Sequence, residues 1–316
     1  MTIHTKRLLT GIKPTAETLH LGNYFGALKP FLDLYGDYES FLMLADYHAL
    51  TTVRSGADLR RNSLEVVKDY IAAGFDPSKA ILFKQSEILE HTELAWIFEC
   101  LVTVPFLMLA HAYKDKIAHG IEANAGLFNY PMLMAADILL YDTDIVPVGE
   151  DQRQHVEYAR EASAKFNNAY GETFKAPQER IMKEVAIVPG TDGRKMSKSY
   201  GNTIPLFGTK DEIAKAVMSI VTDSSGERPA NVYAIHKLVR PEVELDNLYE
   251  EHHGKYKILK EAVIEDLDTY LAPMRERRTM ITDDMVREVL TNGTEKAKMI
   301  AAAKMKDVRE KIGITL

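Results

Sequence analysis

The stretch 11-Gly-Ile-Lys-Pro-Thr-Ala-Glu-Thr-Leu-His-Leu-Gly-Asn-Tyr-24 follows a short apolar run, Arg7–Gly11, and opens a helix-like one, Leu21–Gly36. A chain that leaves a strand and enters a helix in this way offers an anion the free N–H groups and positive end of the helix. Gly22 has no side chain, so an adenine or ribose can lie against its backbone, and His20 and Asn23 can donate hydrogen bonds to phosphate oxygens. A capped strand-to-helix turn accounts for the same residues equally well.

Outward from this stretch the alternation continues. The run 41-Phe-Leu-Met-Leu-Ala-45 reads as a buried strand, Leu59–Ala73 has helical periodicity stopped by Gly74, 80-Ala-Ile-Leu-Phe-83 is strand-like again, and Glu90–Leu101 is helical. Such a βαβα order predicts an α/β fold, a parallel sheet with flanking helices, whose ligands sit at the carboxyl ends of the strands. After Asn202 the chain turns mainly α-helical over Thr209–Val221, Ala230–Val239, Leu245–Tyr270 and Thr282–Ile312, with turns expected at 224-Ser-Ser-Gly-226, 252-His-His-Gly-254 and 292-Asn-Gly-293. Two regions follow from this reading, 1–203 and 204–316, with the last helix packing back on the first.

The bulk properties limit the function classes. The 316 residues suit about two domains, and 46% apolar with 27% charged residues is ordinary for a globular chain. A formal net charge of −7 excludes a globally basic nucleic-acid binder, so any RNA surface is a local patch. One cysteine, Cys100, leaves no intrachain disulfide or thiolate cluster, and the ten histidines are scattered, so no structural metal is expected. No run reaches signal-peptide or membrane-spanning character, which predicts a soluble, cytoplasmic protein.

A second segment, 193-Gly-Arg-Lys-Met-Ser-Lys-Ser-Tyr-Gly-Asn-202, places three cations and two hydroxyls in a glycine-bounded loop. Ammonium groups on a closing loop can stabilise the charge that develops on departing pyrophosphate; a solvated basic turn is the plainer alternative. Taken together, 20-His-Leu-Gly-Asn-23 and 195-Lys-Met-Ser-Lys-Ser-199 resemble the HIGH and KMSKS signatures of class I aminoacyl-tRNA synthetases. That resemblance implies a Rossmann-type catalytic domain, an aminoacyl-adenylate intermediate and acylation of tRNA. It also implies that Gly22, Asn23, Lys195, Ser197 and Lys198 contact ATP or its pyrophosphate.

Between the two signatures lies an apolar helix with a single acid, 130-Tyr-Pro-Met-Leu-Met-Ala-Ala-Asp-Ile-Leu-Leu-Tyr-141, in which Tyr130, Met134, Asp137 and Tyr141 share one face. A carboxylate in that setting needs a donor. An internal Arg or Lys is one candidate; the indole N–H of a ligand, which only donates, is the other. The next run, 145-Ile-Val-Pro-Val-Gly-Glu-Asp-Gln-Arg-Gln-His-155, reads as a buried strand, a glycine and an acid opening a helix. With these two segments the chain resembles the tryptophanyl-tRNA synthetases, and the likeness extends to 46-Asp-Tyr-His-Ala-49, 85-Gln-Ser-Glu-87 with Trp96, 221-Val-Thr-Asp-Ser-224 and 293-Gly-Thr-Glu-Lys-Ala-297.

The resemblance implies that Asp137 accepts the indole N–H, with Tyr130 and Met134 lining the pocket and His48 and Gln152 on the substrate side. It places Lys13, Pro14, Thr15, His20, Gly22, Asn23, Gly149, Glu150, Asp151 and Ile187 at ATP, together with Lys195, Met196, Ser197, Lys198 and Ser199 of the loop. His20, Lys195, Ser197 and Lys198 would carry the catalysis. Mg²⁺ would arrive with ATP, tRNA(Trp) would be the RNA partner, and two copies of the chain would form a homodimer to which Val102–Ala112 contributes. The helical region 204–316 would read the anticodon. The basic residues 275-Arg-Glu-Arg-Arg-278, Lys296, Lys298, Lys304 and Lys306 would meet RNA phosphates, or form a solvated helix face. The first loop departs from the family pattern: Lys13 stands for its usual Gln, Thr15-Ala16 for Ser-Gly, and the signature is one residue longer. A tyrosyl-tRNA synthetase and a non-catalytic tryptophan- or tRNA-binding paralogue are the alternative readings.

Overall fold

The computed structural model describes residues 5–15, 18–110, 113–114, 124–148, 153–181, 188–222 and 228–315. Five strands form one wholly parallel sheet: β1 (Arg7–Ile12), β2 (Glu39–Leu44), β3 (Ala80–Lys84), β4 (Ile145–Val148) and β5 (Gln178–Ile181), in the order β3-β2-β1-β4-β5. The chain runs outward from β1 to β3, then returns to the other side of β1, so strand order reverses between β1 and β4. A crevice opens at such a reversal, beyond the carboxyl ends of the two strands.

Burial on both faces explains why apolar residues on the inner strands point both ways. Leu8, Ile12, Leu42 and Leu44 face one apolar layer, whereas Leu9, Phe41 and Met43 face the other, as the two-residue period requires. The helical residues beyond 204 share these layers. Ile213, Val232, Leu259, Val263, Leu267 and Leu290 continue the first, and Ala297, Ala301, Met305 and Val308 belong to the second. The last strand ends at Ile181, and the helices beyond residue 204 pack on the sheet's own core.

Three elements differ from the sequence reading. β5, Gln-Glu-Arg-Ile, lies at a sheet edge and carries no apolar alternation, so nothing in its pattern announces a strand. The segment read as one helix from Leu21 consists of an α-turn (Leu21–Asn23), a π-helical stretch (Tyr24–Leu28), a second α-segment (Lys29–Leu34) and a 3₁₀ turn (Tyr35–Asp37). The turn expected at 292-Asn-Gly-293 is instead the interior of a single helix, Asp283–Ile312. Gly293 is there for proximity: a Cβ on it would lie 1.8 Å from the Leu82 carbonyl oxygen of β3. The adjacent Thr294 hydroxyl accepts the Lys84 N–H at 3.1 Å. The turn expected at 224–226 lies outside the described residues.

Candidate active site

A cavity of about 260 Å³ occupies the crevice between β1 and β4, lined by Gly11 and Lys13 at one end and by Val146 and Val148 along one wall. The opposite wall comes from the helix Ala125–Leu139, whose Asn124 side chain caps it by accepting the Leu127 N–H. Tyr130, Met134 and Asp137 of this helix all line the cavity, as their spacing predicts. Tyr141 does not. The helix ends at Leu139, and Tyr141 is fully buried behind the cavity.

Asp137 is 1% exposed, and its partners are neither Arg nor Lys. Oδ2 meets His48 Nε2 at 2.8 Å, and Oδ1 meets His91 Nδ1 at 2.6 Å. Gln85 Nε2 donates to both oxygens, at 2.8 and 2.9 Å. Burial by itself pushes this carboxyl up, but the hydrogen bonds from His48 and His91 outweigh it and hold the group at about 2. Asp137 is therefore a carboxylate at neutral pH. The ion-pair alternative left open by the sequence gives way to a histidine–glutamine network.

The network is ordered from behind. Burial and the Asp137 charge push the Tyr141 phenol well above its ordinary range, so it keeps its proton and donates to His91 Nε2 at 2.8 Å. His91 then carries its proton on Nδ1, facing Asp137. Gln85 is oriented by the Tyr47 N–H, which donates to its Oε1 at 3.1 Å. Of these donors His48 is the one that also lines the cavity. On the cavity's outer side, the Tyr130 hydroxyl lies 3.2 Å from His155 Nε2. Sequence reasoning misses His155, Gln85 and His91 as site residues, because nothing local distinguishes them; only the fold brings residues 48, 85, 91 and 137 together.

The two signature segments also meet. Asn23 N–H donates to His20 Nδ1 at 3.3 Å and His20 N–H to Asn23 Oδ1 at 3.2 Å, a reciprocal cap at the helix start. This leaves His20 Nε2–H and the Asn23 amide N–H groups as the donors not spent in the cap. Burial first, and the Lys198 charge second, lower His20 to about 4, so the ring is neutral near pH 7. Gly22 N–H points to Met196 Sδ at 3.2 Å. On its side-chain side Gly22 faces His20 and Met196. A Cβ there would lie 2.9 Å from His20 Nδ1 and 3.1 Å from Met196 Cβ, so the glycine lets the two segments close on each other.

The loop itself is held by Asn202, which is 2% exposed. Its Oδ1 accepts the Ser197 N–H at 2.8 Å, while Nδ2 donates to Asp192 Oδ1 at 2.6 Å and to the Lys195 carbonyl at 3.2 Å. Ser197 Oγ accepts the Ser199 N–H, starting the 3₁₀ turn Lys198–Tyr200, which ends at Gly201 with φ +64°. Lys195 and Lys198 are exposed, and Met196 is the buried anchor between them. Lys13 Nζ donates to Thr51 Oγ1 at 3.2 Å, Pro14 is buried and Thr15 is exposed. Gly149, Glu150, Asp151, Gln152 and Ile187 lie outside the described residues.

The arrangement combines a mainly apolar cavity floored by a negative charge with a helix start closed upon by a lysine-bearing loop. Residues 3–297 match the family model described as tRNA synthetases class I (W and Y). A tryptophan–tRNA ligase of Fusobacterium nucleatum is 46% identical, with 98% of each chain covered, and one of Rhodopirellula baltica is 44% identical over 98% of this chain and 99% of its own. The crystal structure of tryptophanyl-tRNA synthetase from Campylobacter jejuni complexed with ADP and tryptophan superposes with a TM-score of 0.92 at 42% identity, covering 97% of this chain and 99% of that one. The chain belongs to the class I tRNA synthetases of the tryptophan and tyrosine family.

Proposed function

We propose that the chain activates L-tryptophan with ATP and transfers it to tRNA(Trp), as a tryptophan–tRNA ligase. The observation that carries this reading is Asp137, an ionised, fully buried carboxylate in the wall of a mainly apolar cavity. A planar apolar ring bearing one N–H donor satisfies such a site, and a ring without a donor leaves the charge short of a partner. Asp137 already meets four donor contacts from three side chains, so an indole N–H takes the place held by His48, the donor on the cavity side.

In the first step a tryptophan carboxylate oxygen attacks the α-phosphorus of ATP, the bond from that phosphorus to the bridging oxygen of the β-phosphate breaks, and diphosphate leaves. The nucleophile is already ionised, so no general base is needed. The rate rests on alignment and on charge stabilisation by Lys195, Lys198, His20 Nε2–H and Asn23 around the phosphates. Mg²⁺ enters as part of the ATP substrate and keeps most of its waters. A ribose hydroxyl of the terminal adenosine of tRNA then attacks the acyl carbon, and AMP leaves. Pro14, Thr15, Gly149, Glu150, Asp151, Ile187, Met196 and Ser199 complete the ATP side, and Gln152 the tryptophan side, in this reading.

Residues 204–316 are assigned to tRNA, with one correction to the basic cluster. Arg275 is bonded to Asp268, Arg277 to the Ala72 carbonyl, Arg278 to Asp69 and Glu65, and Lys304 to Asp142. These charges brace the protein; Lys296, Lys298 and Lys306 are the exposed ones left to meet phosphate. A homodimer is supported by exposed apolar side chains along one stretch of chain, Leu89, Trp96, Val104, Met108 and Leu109, with Trp96 67% exposed. Positions 111 and 112 of that stretch lie outside the described residues. The cytoplasm is the proposed location, where tRNA and ATP are at hand. Among the described residues no helix is long and apolar enough to cross a membrane.

The deciding experiment is ATP–pyrophosphate exchange with each of the twenty amino acids. Tryptophan alone is expected to drive exchange. Exchange driven by tyrosine, or by none of them, overturns the reading.

A further inference from the structure

Beneath the first signature lies a buried carboxylate that no step of the reaction uses. Asp69, on the helix Gly56–Ala72, is 0% exposed. Its Oδ2 accepts the N–H of Leu19, the residue directly before His20, at 3.2 Å. Its Oδ1 accepts Arg278 Nε at 2.6 Å, and the same guanidinium reaches Glu65 Oε2 at 2.5 Å. Arg278 lies near the end of the helix Tyr256–Met280, and its guanidinium carbon sits 5.3 Å from the centroid of the Phe207 ring.

On its other side the same short segment is zipped to the chain that follows the lysine loop. The Leu19 carbonyl accepts the Leu206 N–H at 3.0 Å, the Leu21 N–H donates to the Ile204 carbonyl at 3.0 Å, and His20 pairs with Pro205. Residues 19–21 are therefore held from two directions. One hold is backbone to backbone and insensitive to side chains. The other runs through a single buried carboxylate whose second partner belongs to the C-terminal helices.

We propose, on the basis of the ligase reading above, that Asp69 and Arg278 are positioning residues for the ATP site: together they set where the His20 segment sits, and they tie it to the placement of the helix Tyr256–Met280. Neither residue touches substrate. They act through a relay of two hydrogen bonds, from Arg278 to Asp69 and from the Leu19 N–H to Asp69, on the segment that presents His20 and Asn23. The helix bearing Arg278 belongs to the region assigned to tRNA. A shift of that helix is felt first at the phosphate site and not in the tryptophan cavity, which lies at the β1–β4 crevice and shares no side chain with the brace. A neutral core contact in place of the brace would hold the fold equally well, but would not fix the direction of the Leu19 N–H.

The test uses the full-length chain, with Arg278→Lys, Arg278→Gln and Asp69→Asn compared in tryptophan-dependent ATP–pyrophosphate exchange, and the melting temperature recorded for each. Arg278→Lys keeps a charge near Asp69 without the two-point fork, and Asp69→Asn keeps an acceptor for Leu19 while losing the charge that orients Arg278. Arg278→Gln is expected to raise KM for ATP by about three- to tenfold while KM for tryptophan stays within about twofold. Arg278→Lys and Asp69→Asn are expected to fall between it and the parent. A variant that loses melting temperature and active fraction but keeps both KM values shows a purely structural role and overturns the proposal, as does an equal rise in both KM values. If Arg278→Gln does not fold, Arg278→Lys and Asp69→Asn decide by the same ratio. A parent chain inactive with every amino acid rejects the ligase reading itself, an outcome distinct from an active parent whose variants are unchanged.

Discussion

The cavity proposed for tryptophan and the site proposed for phosphate are built on opposite plans. At the cavity, side chains from three separated positions, 48, 85 and 91, converge on the charge of Asp137, which is almost wholly removed from water. At the proposed phosphate site, the fixed parts are the helix start capped by His20 and Asn23 and the buried Met196 and Asn202, and the charges, Lys195 and Lys198, stand exposed on a loop. The difference matches the two tasks. Reading a side chain demands a partner fixed before the substrate arrives, whereas gripping a departing diphosphate demands groups that can approach after it binds.

The sharpest way to break the comparison is at Asp137. Asp137→Ala removes the charge and strands the donors of His48, Gln85 and His91, so kcat/KM for tryptophan should fall on the order of 10²- to 10⁴-fold, with stability against urea lowered by about 3–5 kcal/mol. KM for ATP, measured at saturating tryptophan, should stay near the parent value; near-normal tryptophan dependence would remove Asp137 from its role. Next comes Asn202→Ala, which frees the loop at Ser197, Asp192 and Lys195 together. A drop of about tenfold in exchange rate is expected, with the tryptophan affinity measured by calorimetry unaltered. A matching loss of tryptophan affinity would mean that the two sites are not separately built.

A third, smaller effect is a pH dependence. His20 is held at about 4 against an ordinary 6.5, chiefly by burial. Between these values the unfolded chain binds a proton that the folded chain refuses, so the neutral ring's contribution to stability is complete above pH 6.5 and is lost progressively as pH falls towards 4. His20→Asn, which can still cap the helix, should flatten that slope in urea midpoints recorded from about pH 7 to about pH 4. An unchanged slope would place the titration elsewhere. The smallest effect is expected at Lys13→Gln. The Lys13 ammonium is exposed and bonded to Thr51 at the cavity rim, so KM for ATP should rise about two- to fivefold, and unchanged KM values for both ATP and tryptophan would dismiss a role for it in either site.

The legible parts of the fold are those with local signals. Leu59–Ala73 ends as Gly74 requires, with φ +117°, and the three apolar N-terminal strands and β4 lie where their runs place them. β5 is illegible because an edge strand of Gln, Glu and Arg has no period to read. Asn292-Gly293 carries a turn's composition, and only the approach of β3 reveals why glycine stands inside a helix. The same limit applies to the site. Asp137 announces itself as a lone acid in an apolar helix, but its partners come from segments 46 to 89 residues away and cannot be inferred from spacing. The arginines at 275, 277 and 278 read as a basic face for the same reason. Arg277 and Arg278 find their partners more than 200 residues away, and that of Arg275, two turns back on its own helix, shows only once the side chains are placed.

The close approach at Gly293 has a consequence for anyone dividing this chain. β3 ends the sheet, and the helix Asp283–Ile312 lies against it with no room for even a methyl group, its Thr294 taking a strand N–H that would otherwise be unpaired. The helix thus works as a cover strip. A fragment stopping near residue 203 would keep every residue that lines the cavity, yet expose a bare strand edge ready to pair with another molecule, and such edges drive aggregation. The sheet half is thus expected to need a helix that begins some eighty residues after it ends.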